Sequence, residues 1–285
     1  MRRVGLLTKS RPFLCAIPYD RYYWDKDSFS RCYNLCMKSW KDNVSFVLVE
    51  PREPGNIGAS ARAIKNMGFG RLCLVKPAAI TDEAKWFARN ALDVLEPAPV
   101  YQNLKEAISN KAIVAGTTRR KGKKRGIIYP VTQGVKKLRA LAVDNKIAIL
   151  FGREDRGLFN EEIEECGFLL SIPANSEHPS LNLSQAVLIV AYELSRVDYR
   201  ESESYGKASL ASVRLVCHEE LSLLYARISD TLKLLEYLSM GDRDIEKKII
   251  TNIKHFIGRA GITEWEVNML HGICSRIESK LNGRK

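Results

Sequence analysis

Three short polar segments hold the side chains best suited to chemistry. The first runs Glu50-Pro-Arg-Glu-Pro-Gly-Asn-Ile-Gly-Ala-Ser-Ala-Arg62. Its Asn56 offers both a donor and an acceptor, and Arg62 a permanent cation able to steady a developing oxyanion. Gly55 and Gly58 let the backbone turn tightly. The second runs Phe151-Gly-Arg-Glu-Asp-Arg-Gly-Leu158, placing the Glu154 carboxylate just past a buried run, between two glycines that admit close backbone approach by a ligand. The third, Ser171 to Ala186, is rich in small polar groups, and Ser180 and Asn182 bracket Leu181 in it. Each has a plainer reading. The first is also a helix start with a surface Arg, the second a solvated charged turn, and the third an N-cap cluster that Asn182 or Ser184 satisfies. No Gly-x-Gly-x-x-Gly is present, which disfavours a nicotinamide-cofactor enzyme.

These segments need elements to position them. Val44–Val49 is a Val-rich run ended by Glu50-Pro51, and reads as a buried strand. Pro54-Gly55-Asn56 reads as a break, and the spacing of Ile57, Ala61 and Ile64 predicts a helix from Ile57 to Met67, stopped by Gly68 and Gly70. Leu72–Val75, Ala112–Ala115, Ile147–Phe151 and Phe168–Ile172 read as further strands, with a weak one near Val94. Helices are expected at Asp82–Asn90, Leu104–Ser109, Glu161–Glu165 (capped by Asn160) and Leu183–Val197. Strands rich in Val, Ile and Leu and separated by helices imply an α/β fold with a mainly parallel sheet covered on both faces. The three polar segments then leave strand ends, where such sheets bind ligands. Residues 201–209 read as a linker. Leu210–Met240, Ile245–Ile257 and Glu264–Leu281 read as a small helical module, 210–285, with Trp265 in its core.

Composition narrows the field. The 285 residues carry 45 Lys+Arg against 33 Asp+Glu, a net charge of +12, with 45% hydrophobic residues. That excludes a largely disordered or collagen-like chain. The longest apolar run, Ala186–Tyr192, is far short of the roughly 20 residues that span a bilayer. Seven cysteines at scattered positions form no Cys-x-x-Cys pair and read as reduced thiols of a cytoplasmic protein, with no metal expected. The cationic excess suits nucleic acid, an anionic membrane surface or an acidic protein. Arg119-Arg-Lys-Gly-Lys-Lys-Arg125 packs six cations into seven residues, either a solvated loop or a run that tracks phosphates. Residues 1–42 read as an N-terminal extension. Its first 36 residues hold seven Lys+Arg, three Asp and five Tyr or Trp without a period. They read as poorly ordered or as upstream of a start at Met37, the alternative being an RNA-contacting arm.

Taken together, and in this order, the three segments closely resemble the signature motifs of the SPOUT superfamily, and within it the TrmH/SpoU class of RNA ribose 2'-O-methyltransferases. Asn56, Gly58 and Arg62 match the first motif, Gly152, Glu154 and Gly157 the second, and Ser180, Leu181 and Asn182 the third. Gly-Arg-Glu followed by Asn160-Glu-Glu162, and Ala191-Tyr192-Glu193 in the last helix, resemble the TrmJ branch. The likeness covers Val44 to Arg196 and extends into Asn268–Ile273. The resemblance implies a SPOUT domain over 43–200 with a C-terminal trefoil knot, and a homodimer with each active site at the subunit interface. It implies S-adenosylmethionine as cofactor, held by Thr117, Thr118, Arg119, Gly152, Ile172, Ser180 and Leu181. It implies methylation of a tRNA ribose 2'-hydroxyl, with nucleotide 32 of the anticodon loop as the expected target. Ribosomal RNA is the alternative substrate, and a non-catalytic RNA-binding protein a further one. By the same resemblance Arg62 is the central catalytic residue, aided by Asn56, Glu154, Ser180 and Asn182. A guanidinium holds its proton above about pH 12. Arg62 is therefore expected to polarise the hydroxyl together with an RNA phosphate, with Glu154 orienting Arg62 or Asn56. Arg120, Lys121, Lys123, Lys124 and Arg125 are the expected RNA-binding residues.

Overall fold

The computed structural model describes residues 39–120, 126–175, 177, 180–197, 214–237 and 243–282. All the described residues fall within one compact unit, Ser39–Lys285. Seven strands make up one sheet: β1 (Val44–Val49), β2 (Leu72–Val75), β3 (Val100–Tyr101), β4 (Ile113–Thr117), β5 (Ile128–Pro130), β6 (Ile147–Phe151) and β7 (Phe168–Ser171). Their order is β3-β2-β1-β6-β4-β7-β5, and every pairing is parallel. β1 and β6 are fully buried along their length, as a two-sided parallel sheet requires. On one face Phe46, Leu48, Ile149, Phe151 and Leu170 pack against α1 (Pro54–Asn66), α5 (Val131–Leu141) and α7 (Leu183–Arg196). On the other, Val47, Val49, Leu150 and Leu169 meet α4 (Leu104–Ile108) and α6 (Asn160–Ile163).

Parallel pairing puts the ends of β1, β6, β4 and β7 side by side at one edge. The three polar segments leave three of those ends, and the Thr117-Thr118 turn leaves the fourth.

Several local expectations are corrected. α1 starts at Pro54, so Pro54-Gly55-Asn56 is its first turn and not a break. Proline at the first helical position carries the right φ and lacks an N–H that would be unpaired there. Val94 lies in a short helix, α3 (Leu92–Leu95), and the extended pair comes later, at β3. The α6 turn begins at Asn160 itself, and the Glu162 carboxylate caps it by accepting from Phe159 N–H at 2.7 Å. β5 and α5 lie outside the expected elements. α2 spans Asp82–Ala88, followed by a 3-10 turn.

The C-terminal helices are α8 (His218–Leu234), α9 (Arg243–Ala260) and α10 (Glu264–Asn282). Residues 210–213 and 238–240 of the expected first helix, and the linker 201–209, lie outside the described residues. Val216, Leu221, Leu224, Tyr225, Ile257, Ile262 and Val267 form this module's own core. Trp265 is not part of it: it is 72% exposed, because it falls on the face of α10 opposite Val267 and Cys274. The module docks on the sheet domain. Glu165 pairs with His218 and Lys254 at 2.8 Å each. Gly167 lies so close to Gly258 that a Cβ on it would stand 2.0 Å from the Gly258 oxygen. No helix among the described residues is long and apolar enough to cross a membrane.

Candidate active site

The second polar segment is a tight loop closed on itself. Gly157 N–H donates to Arg153 O at 2.8 Å, and Arg153 N–H to Gly157 O at 3.3 Å. Gly157 has φ +68°, and a Cβ on Gly152 would sit 2.1 Å from the Gly157 carbonyl carbon. The glycine at 152 thus serves the closure of the loop, where the sequence suggested room for a ligand.

Glu154 leaves this loop toward the start of α1. Its carboxylate accepts from Asn56 Nδ2 at 3.0 Å, from Arg52 N–H at 3.1 Å and from Glu53 N–H at 3.3 Å. Glu53, the N-cap of α1, makes no side-chain cap bond, so a carboxylate about a hundred residues away pairs the backbone donors there. Burial by itself would raise the Glu154 carboxyl, but the Asn56 amide and the backbone N–H groups outweigh it and hold the pKa below its ordinary value.

Asn56 carries the connection to the third segment. Its Oδ1 accepts from Asn182 Nδ2 at 2.8 Å, and Asn182 Oδ1 accepts from Ser184 N–H at 2.9 Å, capping α7. The direction of this chain is set at both ends. A carboxylate only accepts and a backbone N–H only donates, so each amide has one permitted orientation. Asn182 is therefore both a helix cap and a member of the site, and the two readings of that segment hold together.

Next to this relay lies a cleft of about 790 Å³, open to solvent. Its lining includes Thr117, Thr118, Arg119, Gly152, Ile172, Ser180 and Leu181, all seven of the expected cofactor residues, together with Arg120 and Glu154. The floor comes from Phe151, Leu170 and Leu183, which the motifs did not point to. Thr117 Oγ1 donates to Leu150 O at 2.9 Å, tying β4 to β6, and Thr118 N–H donates to Leu170 O at 2.9 Å. An apolar floor under loops of backbone amides and small hydroxyls suits a nucleoside carrying a short charged tail.

Arg62 stands apart. It is exposed on α1, does not line the cleft, and makes no hydrogen bond or ion pair among the described residues. Six residues separate it from Asn56, which at about 100° per residue puts it roughly 120° around the helix. Glu154 accordingly orients Asn56 and not Arg62. Asn56 and Asn182 join the relay at the rim without lining the cleft. Arg119 and Arg120 are exposed at its mouth, while Lys121, Lys123, Lys124 and Arg125 lie outside the described residues. Arg153, which sequence reasoning passed over, is the most buried charged group of the site. Nothing in its spacing distinguishes it from its exposed neighbours Asp155 and Arg156.

A parallel sheet whose loops after three adjacent strands, β6, β4 and β7, line one cleft at the strand ends fits a nucleotide-binding α/β protein, and comparison with known proteins narrows the class. Residues 43–192, more than half of the chain, match the SpoU rRNA Methylase family, and the chain belongs to it. It is 34% identical over 253 residues to the tRNA (cytidine/uridine/adenosine-2'-O-)-methyltransferase TrmJ of Pseudomonas aeruginosa, covering 85% of this chain and 96% of that one. It is 35% identical over 242 residues to the tRNA (cytidine/uridine-2'-O-)-methyltransferase TrmJ of Sodalis glossinidius, covering 83% and 91%. Its structure is similar to that of TrmJ from Z. mobilis, with a TM-score of 0.69, 27% identity, and coverage of 82% and 98%.

Proposed function

We propose that this chain methylates a ribose 2'-hydroxyl of tRNA, with S-adenosylmethionine bound in the cleft beside Gly152 and Leu181. The observation that carries this reading is the relay Glu154–Asn56–Asn182, which joins all three motif loops at the rim of that cleft. S-adenosylmethionine would supply an electrophilic methyl group on a sulfonium centre. The chain's own residues would supply position and charge. Thr117, Thr118, Gly152 and Leu181 offer backbone and hydroxyl groups to a nucleoside, with Ile172 and Leu183 against its base. Glu154, held ionised by its three donors, fixes Asn56, and Asn56 and Asn182 fix the approach of the ribose. Arg119 and Arg120 offer cations to the RNA backbone at the mouth, and the run Lys121–Arg125 continues them in sequence. The target nucleotide follows from the same reading as position 32 of the anticodon loop, in the cytoplasm. A trefoil knot belongs with it, since β4 lies between β6 and β7 and the cleft is built from the loops after all three.

Arg62 fits this reading in one way: it serves the cleft of a second copy. Exposed Trp86 and Phe87 on α2, and Leu188 and Tyr192 on α7, beside α1, offer an apolar surface for a homodimer. The test is complementation. Arg62→Ala and Glu154→Gln chains, each with activity reduced to a small measurable fraction alone, are mixed, unfolded and refolded together. If Arg62 acts across the interface, half the dimers are hybrids with one complete site, and about a quarter of parental activity returns. No recovery overturns the shared site. Labelled methyl donor incubated with tRNA and with ribosomal RNA decides the substrate, and label in ribosomal RNA alone overturns the tRNA reading.

A further inference from the structure

Arg153 lies between Gly152 and Glu154. Its side chain is 3% exposed, and its guanidinium is fully engaged. Nε and Nη2 meet the Glu50 carboxylate at 2.9 Å each. Nη1 and Nη2 meet Glu162 at 3.1 and 3.0 Å. Nη1 also faces Gly157 O at 3.5 Å, and the group lies 3.8 Å over the Phe159 ring. One planar fork thus clamps the end of β1, the start of α6 and the closing residue of its own loop. A lysine, with a single point of charge, cannot meet two carboxylates this way.

The clamp also holds a backbone that resists its shape. Glu50 has φ +48°, in the left-handed region that a side chain disfavours. Its N–H donates to Val75 O at 2.8 Å, and its carboxylate is turned onto Arg153. Glu50 opens the first motif segment, and Arg153 directly precedes Glu154 in the second. The two segments are therefore braced at their roots by Glu50–Arg153 and joined two to six residues further on by Glu154 with Arg52, Glu53 and Asn56.

We infer that Arg153 is a positioning residue for methyl transfer: it sets where the Glu154 carboxylate stands, and through it the Asn56–Asn182 pair that orients the ribose. This rests on the proposed function above. Misplacing a reacting group by about an ångström costs on the order of a hundredfold in rate without requiring weaker binding.

The test uses the full chain and four variants: Arg153→Lys, Glu50→Gln, Glu154→Gln and the double variant Arg153→Lys/Glu154→Gln. The readouts are kcat and KM on a tRNA transcript, S-adenosylmethionine affinity by calorimetry, and the thermal midpoint. Arg153→Lys is expected to lower kcat by about 10- to 100-fold, with KM and cofactor affinity within about threefold. In the Glu154→Gln background the same change should add less than about twofold, because both substitutions break one linkage. Should Arg153→Lys fail to fold, Glu50→Gln, at the more exposed end of the clamp, carries the same comparison with a loss of about 3- to 10-fold. A folded Arg153→Lys with parental kcat overturns the inference. So does a loss repeated in full on top of Glu154→Gln, which would make the clamp a scaffold only. A Glu154→Gln chain with parental kcat overturns the site reading itself, and this inference with it.

Discussion

Glu154 accepts three hydrogen bonds, from one side-chain amide and two backbone N–H groups. Every one of them favours the ionised carboxylate, and together they outweigh its partial burial. The sign of the consequence is fixed. A carboxyl whose folded pKa is depressed contributes stability above its ordinary value of 4.5, and that contribution is lost as pH falls below it. Asn56→Asp should reverse this. It replaces the amide donor with a second carboxylate at about the 3.0 Å now spanned by Nδ2 and Glu154. Two such groups cannot both ionise cheaply, so the pair would retain a proton, with a folded pKa raised above the unfolded one. Its stability would be present at low pH and lost as pH rises. The thermal midpoint of Asn56→Asp, relative to the parent, should therefore be worse at pH 8 than at pH 5. A uniform deficit across that range would show that the two carboxylates move apart, and that Asn56 is not held by the relay.

Among the elements, α1 bears the tightest constraint. A Cβ added to Gly58 would lie 1.9 Å from the Ala84 carbonyl oxygen of α2, so the two helices cross backbone to backbone. Its match to a motif glycine is thus explained by packing and not by contact with a ligand. Gly58→Ala must push α2 away or rotate α1, and such overpacking costs about 1–3 kcal/mol or more. Differential scanning should show the midpoint lower by several degrees, with activity reduced further because Asn56 rides on the same helix. An unchanged midpoint would mean that α2 is free to yield. The elements also show why some local readings failed. Pro54-Gly55-Asn56 has the composition of a turn, yet Pro54 starts the helix because Glu154 supplies the acceptor that the segment lacks. Val131, Val135, Leu138 and Leu141 repeat at helical spacing, so α5 was readable from the chain. By contrast Leu92-Asp-Val-Leu95 is too short to show any period.

At the scale of the molecule, the C-terminal helices are held on the sheet domain by Lys247 on Glu164 at 3.0 Å, by the N–H groups of His218 and Glu219 on Lys111 O and Ser109 O, and by one mostly buried carboxylate, Glu165. Burial would raise Glu165, but His218 and Lys254 overcome it and bring it down to about 2. By the same linkage its contribution is complete above its ordinary 4.5 and fades only as pH falls toward about 2, so the docking should persist throughout the neutral range. Glu165→Gln leaves Lys254 without its counter-charge at a mostly buried site and takes from His218 its carboxylate hydrogen-bond partner, a loss of about 2 kcal/mol or more. Thermal unfolding at pH 7 should register it as a lower midpoint, or as a separate early transition of the helices. A midpoint equal to the parent's would show that the remaining contacts, Lys247 with Glu164, the backbone bonds of His218 and Glu219, and Gly167 against Gly258, hold the docking without Glu165.

The five longest strands, most of the helices between them, the two-sided sheet and the identity of the three motif segments were set by the sequence, because hydrophobic period and the placement of Gly, Asn and Ser are local properties. The seven residues that the family resemblance placed around a cofactor all line the cleft, because they sit at the ends of β4, β6 and β7 and in the loops that leave them. Which side chains meet was decided by tertiary structure alone. Asn56 stands 98 residues from Glu154 and 126 from Asn182, and only the strand order β1-β6-β4-β7 makes them neighbours. Arg153 and Asp155 are alike to a reader of the chain, yet one is clamped between two carboxylates and the other faces water. Trp265 shows the reverse case: its bulk suggested a core position, and the turn of α10 put it outside. Burial depends on what packs against a residue, and that partner is seldom a neighbour in sequence.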